Sequence, residues 1–208
     1  PRSPRWTSST GQDAVEALEA LTPDYLNTGR GGRVGIVMQG VVAAGPPQTV
    51  GDFAGMNLPA VLNSHLSAAG EYDSTAFGIF AHAEAMLGLI AADEAVAPSA
   101  IDVLLDARRD GGWGEADATG MALQVLGWLE RGVRAGTLNQ LRATQTAGGG
   151  WGFGGVDNPS ASAEVVQGLV VVGQNPFGSG WSQVVDGRLT NAADVVMAQQ
   201  TANGCWPD

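Results

Sequence analysis

The chain has no lysine, one cysteine and two histidines among its 208 residues, and charged side chains make up 15% of it. Each scarcity excludes something. Without Lys there is no Schiff-base chemistry and no phosphate-binding loop of the Gly-Lys type. With Cys205 alone there is no intrachain disulfide and no cysteine-rich zinc site. No apolar run reaches the roughly 18 residues a membrane span needs. All ten bases are Arg, against 21 acids, for a net charge of −11. An acidic surface of this kind makes nucleic acid and anionic membranes poor partners. The chain begins at Pro1, as expected of a processed or cut chain from which any signal peptide would already be gone.

What is abundant is glycine, 31 residues, about twice the usual share of roughly 7%, and six of the thirteen aromatics are Trp. Both belong to a recurring turn: Gly70-Glu71-Tyr72, Gly111-Gly112-Trp113, Gly149-Gly150-Trp151 and Gly204-Cys205-Trp206, spaced by 41, 38 and 55 residues. Such spacings mark a repeat architecture. A helix is predicted before each turn, over 52–68, 98–109, 137–146 and 189–200. Another follows each of the first three, over 75–90, 119–130 and 162–172, and 33–44 has the same character. An extra helix over 13–21 reads as the outer partner of 33–44, and residues 1–10 read as an irregular arm. The segments 119–129 and 161–172 are apolar nearly all round, as buried helices are, whereas 101–109 has one apolar and one charged face. Asp73, Thr75, Asp117, Thr119, Ser160 and Ser162 are expected to cap the buried helices, and Gly45, Gly132 and Gly173 to end them. Buried helices alternating with amphipathic ones imply two concentric layers. The expected fold is all-α: an α/α toroid, partial or open, of about four helical hairpins over residues 11–208.

The run Arg142-Ala-Thr-Gln145-Thr-Ala-Gly-Gly149-Gly-Trp151 resembles the QW motif of the squalene cyclase and prenyltransferase repeat. Gln200-Thr-Ala-Asn-Gly204-Cys-Trp206 repeats its core, and Arg109-Asp-Gly111-Gly-Trp113 is a copy without the Gln. With Gly149–Phe153, Asn158–Ser162 and Gln174–Pro176, residues 30 to 206 look like bacterial secreted proteins of the terpene cyclase/mutase repeat type. The resemblance implies a terpenoid cyclase/prenyltransferase toroid, a secreted or cell-surface location, and a Gln-Trp turn that is scaffold. The superfamily also holds protein prenyltransferase β subunits, cobalamin carriers and complement thioester domains.

The enzyme motifs of that superfamily are absent. There is no Asp-x-Asp-Asp string, no Gly-Cys-Gly-Glu-Gln thioester, and no His after Cys205 to complete a zinc set. Of the oxidosqualene-type acid motif only Asp117 and Thr119 are in place. Protonating an alkene needs a neutral, desolvated acid, whereas Asp117 at a helix start is expected to stay ionised. Asp117 is therefore the low-ranked catalytic candidate. Glu84, Asp117 and Glu164 on buried helices would suit a carbohydrate-active α/α barrel if two of them stood at glycosidase spacing, and Asp110, Glu115 and Asp117 are a conceivable calcium cluster matching no standard loop.

Polar residues that interrupt the apolar helices remain. Gln39, Gln124, Glu164 and Gln167 must be satisfied by backbone, neighbours or a ligand. Gln124 and Gln167 each lie five residues after a hydroxyl residue, and Trp128 follows Gln124 by one turn. Gln124, Trp128, Glu164, Gln167 and His82 are the expected ligand-binding residues, with no metal and no cofactor; bridging of adjacent helices is the alternative role of the amides, and a hydrogen-bonded core position that of His82. The leading reading is a non-catalytic module for a small apolar or cobalamin-like ligand or for a protein; the competing one is a class II terpene cyclase-like enzyme. Because Trp206 ends the last repeat with no buried helix after it, the open edge is expected to be completed by further chain or covered by a second chain.

Overall fold

The computed structural model describes residues 11–27, 29–72, 78–202 and 204–206. The expected arm over 1–10 and the expected caps Asp73 and Thr75 lie outside them. Among the described residues the fold is all-α, with nine α-helices and two short antiparallel hairpins. The chain divides into two compact units, Pro1–Val103 and Leu104–Asp208.

In the first unit, α1 (Ala14–Leu26) opens with a capping box: Asp13 accepts from the Val15 and Glu16 N–H groups and Glu16 accepts from the Asp13 N–H. This satisfies donors the first turn would otherwise leave bare. α2 (Gly31–Ala44) stops at Gly45, whose φ of 67° is open to glycine at little cost. α3 (Leu58–Ser64), capped by Asn57, packs on α2, as does α1. α4 (Gly78–Ala91) lies along α2, and α5 (Pro98–Asp106) follows.

The second unit repeats this plan. Its central pair is α6 (Ala116–Trp128) with α8 (Pro159–Val171); α7 (Ala135–Thr144) packs on α6 and α9 (Ala192–Ala198) on α8. Both central pairs are parallel and cross on glycine. A Cβ on Gly35 of α2 would stand 2.7 Å from the Ala85 Cα of α4, and one on Gly120 of α6 would stand 2.6 Å from the Glu164 carbonyl carbon of α8. Gly88 and Gly168 supply the matching gaps from the other side. Backbones this close leave no room for a side chain, which explains much of the glycine in these helices.

The aromatic turns join outer helices to central ones by a shared set of bonds, complete at Trp113 and Trp151. The indole N–H of Trp113 donates to the Leu104 carbonyl, that of Trp151 to Leu141 (2.9 Å) and that of Trp206 to Val196 (2.6 Å). Each therefore occupies a carbonyl in or beside the last turns of the preceding helix. The backbone N–H of the aromatic residue is in turn held by a side chain of the following helix: Tyr72 by His82 Nδ1 (3.2 Å), Trp113 by Thr119 Oγ1 (3.0 Å), Trp151 by Ser162 Oγ (2.9 Å). Gln145 Nε2 and Gln200 Nε2 close two of the turns on the carbonyls of Gly149 and Gly204, both at 2.8 Å. The positive-φ glycine of each of the first three turns meets the start of the next outer helix. A Cβ on Gly70 would lie 2.7 Å from the Ser99 oxygen, one on Gly111 2.9 Å from the Gly136 oxygen, and one on Gly149 2.9 Å from the Thr190 carbonyl carbon.

Several local expectations change. The helix expected over 52–68 is confined to α3, because Ala54 (φ 52°) and Gly55 (φ 73°) take left-handed backbone and Phe53 pairs with Met56 in a tight turn. The helix expected over 189–200 is α9 preceded by a hairpin, β3 (Gln183–Val185) with β4 (Arg188–Thr190). A second hairpin, β1 (Gly152–Phe153) with β2 (Val156–Asp157), precedes α8. Thr119 and Ser162 bond the Trp backbone rather than capping their helices; Asn158 caps α8. α6 begins at Ala116 after Glu115, so Asp117 sits inside the first turn, accepting from the Ala118 N–H at 2.7 Å, and is not the N-cap. Glu130 (φ 54°), not Gly132, takes the left-handed backbone just beyond α6.

Two substitutions test this frame. Trp151, wholly buried, should cost about 3–5 kcal/mol when replaced by Ala, the usual range for a buried aromatic. Gly120→Ala should destabilise by roughly 1–2 kcal/mol despite the better helix propensity of Ala, because the central pair must move apart. Urea denaturation of both variants reads the two values, and an unchanged midpoint for either would refute the packing described.

Candidate functional site

Gln124 lies one turn beyond the Gly120 crossing, so its side chain emerges where α8 passes. Its Nε2 donates to Glu164 Oε2 at 2.8 Å and reaches the Glu164 carbonyl at 3.4 Å. Gln124 is buried and Glu164 half-buried. Partial burial pushes the Glu164 carboxyl above the ordinary range. The Gln124 hydrogen bond works against that rise, and the negative charge of Asp117 adds to it. The two expected carboxylates are therefore within each other's field, with one oxygen of Glu164 fixed by an amide donor. This is a seam that ties two helices and keeps a half-exposed carboxylate oriented.

The other expected residues do not gather at that seam. Trp128 stands at the far end of α6, where Gly127 abuts Val171, and is 62% exposed. Gln167 is exposed too, so Gln124 and Gln167, alike in sequence position, have opposite environments. His82 belongs to the first unit, is 2% exposed, and uses both ring nitrogens: Nδ1 accepts from the Tyr72 N–H and Nε2 donates to the Ala100 carbonyl at 2.9 Å. That assigns the neutral Nε2–H tautomer. Burial holds its pKa below the ordinary imidazole value, against smaller opposing effects of the Ala100 bond and Glu71. His82 is a structural hinge of the Tyr72 turn rather than a ligand contact.

The first unit carries a counterpart of the seam. Glu84 precedes Gly88 by four residues as Glu164 precedes Gly168, and Gln39 follows Gly35 by four as Gln124 follows Gly120. Here Gln39 Nε2 turns back to its own helix, to the Gly35 carbonyl at 3.4 Å. Gly32 stands where the second unit has Asp117, and Arg33 where it has Ala118. A hollow of about 200 Å³ results, lined by Tyr25, Arg33, Phe80 and Glu84 among others, with the Arg33 guanidinium 4.6 Å from the Tyr25 ring centre.

Sequence reasoning missed a larger hollow in the second unit, of about 520 Å³, between the Gly111 turn and the start of α7. Arg108, Arg134 and Thr137 line it. Its one sequence signal is negative: Arg131-Gly-Val-Arg134-Ala offers no Ser, Thr, Asp or Asn to cap α7. Among the described residues no group of three or more His, Cys, Asp or Glu is gathered to hold a metal ion, and no helix is long and apolar enough to cross a membrane. No protein-family model, curated protein or solved structure matches the chain.

Two of the shifted groups, His82 and Glu164, act in opposite directions on stability. His82 is harder to protonate folded than unfolded, so stability is fully present above about pH 6.5 and falls as pH drops below it. Glu164 binds its proton more tightly folded, so its contribution is largest in acid and is lost as pH rises through the carboxylate range. Glu164→Gln should therefore flatten the stability profile above about pH 4 and leave the fall below pH ~6.5 intact. Guanidinium melts at several pH values check both.

Proposed function

We propose that this chain is a non-catalytic binding module, built on a toroid of helical hairpins of the terpene cyclase/prenyltransferase type, that presents the exposed end of the α6–α8 pair to its ligand. The observation that carries the reading is the contrast between its polar and apolar groups. Gln124 is spent on Glu164, both nitrogens of His82 are spent on backbone, and Asp117 is bonded to the first turn of α6. Trp128 and Val170, in contrast, are given to solvent at 62% and 53% exposure. Exposed Trp is the side chain that most often dominates a binding surface. The ligand classes that fit are a small apolar or corrinoid-like molecule, a protein partner, or a second copy of the chain at an open repeat edge. The resemblance places such a module outside the cell or at its surface. The competing reading, an enzyme of cyclase type, is favoured by one feature: Glu164 is a half-buried carboxyl held toward its neutral form.

Titration with cobalamin and with a polyene such as squalene, followed by tryptophan fluorescence and calorimetry, tests both. Saturable binding of one of them is expected, weakened about tenfold or more by Trp128→Ala, with the melting temperature unchanged because the ring is exposed. Conversion of the polyene by the wild type but not by Glu164→Gln would overturn the non-catalytic reading. Binding indifferent to Trp128→Ala would remove the proposed surface.

A further inference from the structure

α7 starts against electrostatic habit. Its N-cap is Arg134, whose side chain makes no capping bond. α3 and α9 begin with Asn57 and Asn191, which do. A helix N-terminus carries the positive end of the backbone dipole and favours an anion. Here it receives a second cation instead. Arg108 donates from Nε to the Gly111 carbonyl at 3.2 Å and lies with its guanidinium 5.9 Å from the Trp113 ring centre. Its Nη2 reaches the start of α7: a Cβ on Gly136 would be 3.6 Å from it. No ion pair to a carboxylate holds either Arg108 or Arg134 among the described residues. Partial burial and the like charge of Arg134 lower the Arg108 pKa, so the two guanidinium groups are close enough to repel.

A hollow of about 520 Å³ opens between them. Thr137, in the first turn of α7, lines it at 1% exposure, and its hydroxyl has no hydrogen-bond partner. A buried hydroxyl left unbonded is costly and calls for an explanation. Asp106 and Asp110 also line the hollow, both exposed; the Asp106 backbone carbonyl accepts from Arg109 Nη1, and neither carboxylate is bonded to a guanidinium. Leu105, Leu126 and Val133 give it an apolar flank. Two unpaired cations, an uncapped helix start and an unpartnered hydroxyl share one lack, a multivalent acceptor.

We propose that this hollow binds a tetrahedral oxyanion, phosphate or sulfate, free or as the monoester of a small apolar molecule, between Arg108 and Arg134 over the first turn of α7, with the Thr137 hydroxyl as a third donor. Arginine forks and helix N-termini are the usual recognition elements for such groups. The proposal uses neither Trp128 nor Val170 and stands or falls without the α6–α8 surface.

Calorimetry on the full chain with inorganic phosphate, inorganic sulfate and phenyl phosphate as probes, each to about 20 mM, tests the proposal. One ion per chain is expected for at least one probe. Phenyl phosphate binding more tightly than phosphate assigns the apolar flank to an ester; equal affinities assign the site to the free ion. Arg134→Gln, at an exposed residue whose side chain makes no capping bond, should weaken binding about tenfold without moving the melting temperature. Arg108→Gln should weaken it at least as much, and Thr137→Val, which keeps the shape, by a smaller factor. Absence of binding for all three probes, or binding that Arg134→Gln and Thr137→Val leave intact, would overturn it.

Discussion

The fold depends on a hydrogen-bonded clamp that is complete at the Trp113 and Trp151 turns and half-made at the Tyr72 and Trp206 turns. One residue is tied in two directions: its ring N–H to a carbonyl of the helix behind it, and its backbone N–H to a side chain of the helix ahead. Trp151 shows the whole device, held at Leu141 on one side and Ser162 on the other, with Gln145 closing the turn on Gly149. Two helices that meet at a tight turn carry orphan carbonyls at one end and orphan N–H groups at the other. The clamp answers part of that deficit inside the core, where an unpaired group would be most expensive. It also fixes the lateral position of the central helices, and their glycine crossings at Gly35 and Gly120 tolerate little displacement.

The side chain that completes the clamp differs between copies while its job does not. His82, Thr119 and Ser162 each accept the aromatic residue's N–H. An imidazole and two hydroxyls are interchangeable there because all that is required is a buried acceptor at hydrogen-bond distance. This is why His82, expected as a ligand contact, serves as scaffold, and why neither hydroxyl is available to cap its own helix.

Much of the helical plan was legible in the sequence, and for identifiable reasons. Every helix that was expected exists at least in part, because the apolar periodicity of segments such as 119–129 and the recurring Gly-aromatic turns are strong local signals. The hairpins at 152–157 and 183–190 were not, since two- and three-residue strands carry no periodicity to read. Candidate site residues fared according to how far their role depended on partners. Gln124 and Glu164 stood out as polar residues in apolar helices, and the structure joins them. Gln167 and Trp128 shared that signal but face solvent, because α8 buries one side only and α6 outruns its neighbours at its end. The Arg108–Arg134 hollow had no positive signal, for it is made by a turn and a helix start more than twenty residues apart.

Among the described residues three arginines lie against aromatic rings: Arg33 at Tyr25, Arg108 at Trp113 and Arg142 at Trp181, the last at 4.3 Å. A planar guanidinium can lie flat on a ring and still donate in its own plane, as Arg142 does to the Gly180 carbonyl. An ammonium group lacks that second geometry. The choice fixes how the molecule responds to alkali. Guanidinium does not give up its proton in any pH range a protein survives, and no lysine side chain is present to do so in its stead. The positive charge of the side chains is thus a constant of the molecule in alkaline solution, and any change of side-chain charge there must come from groups that become negative.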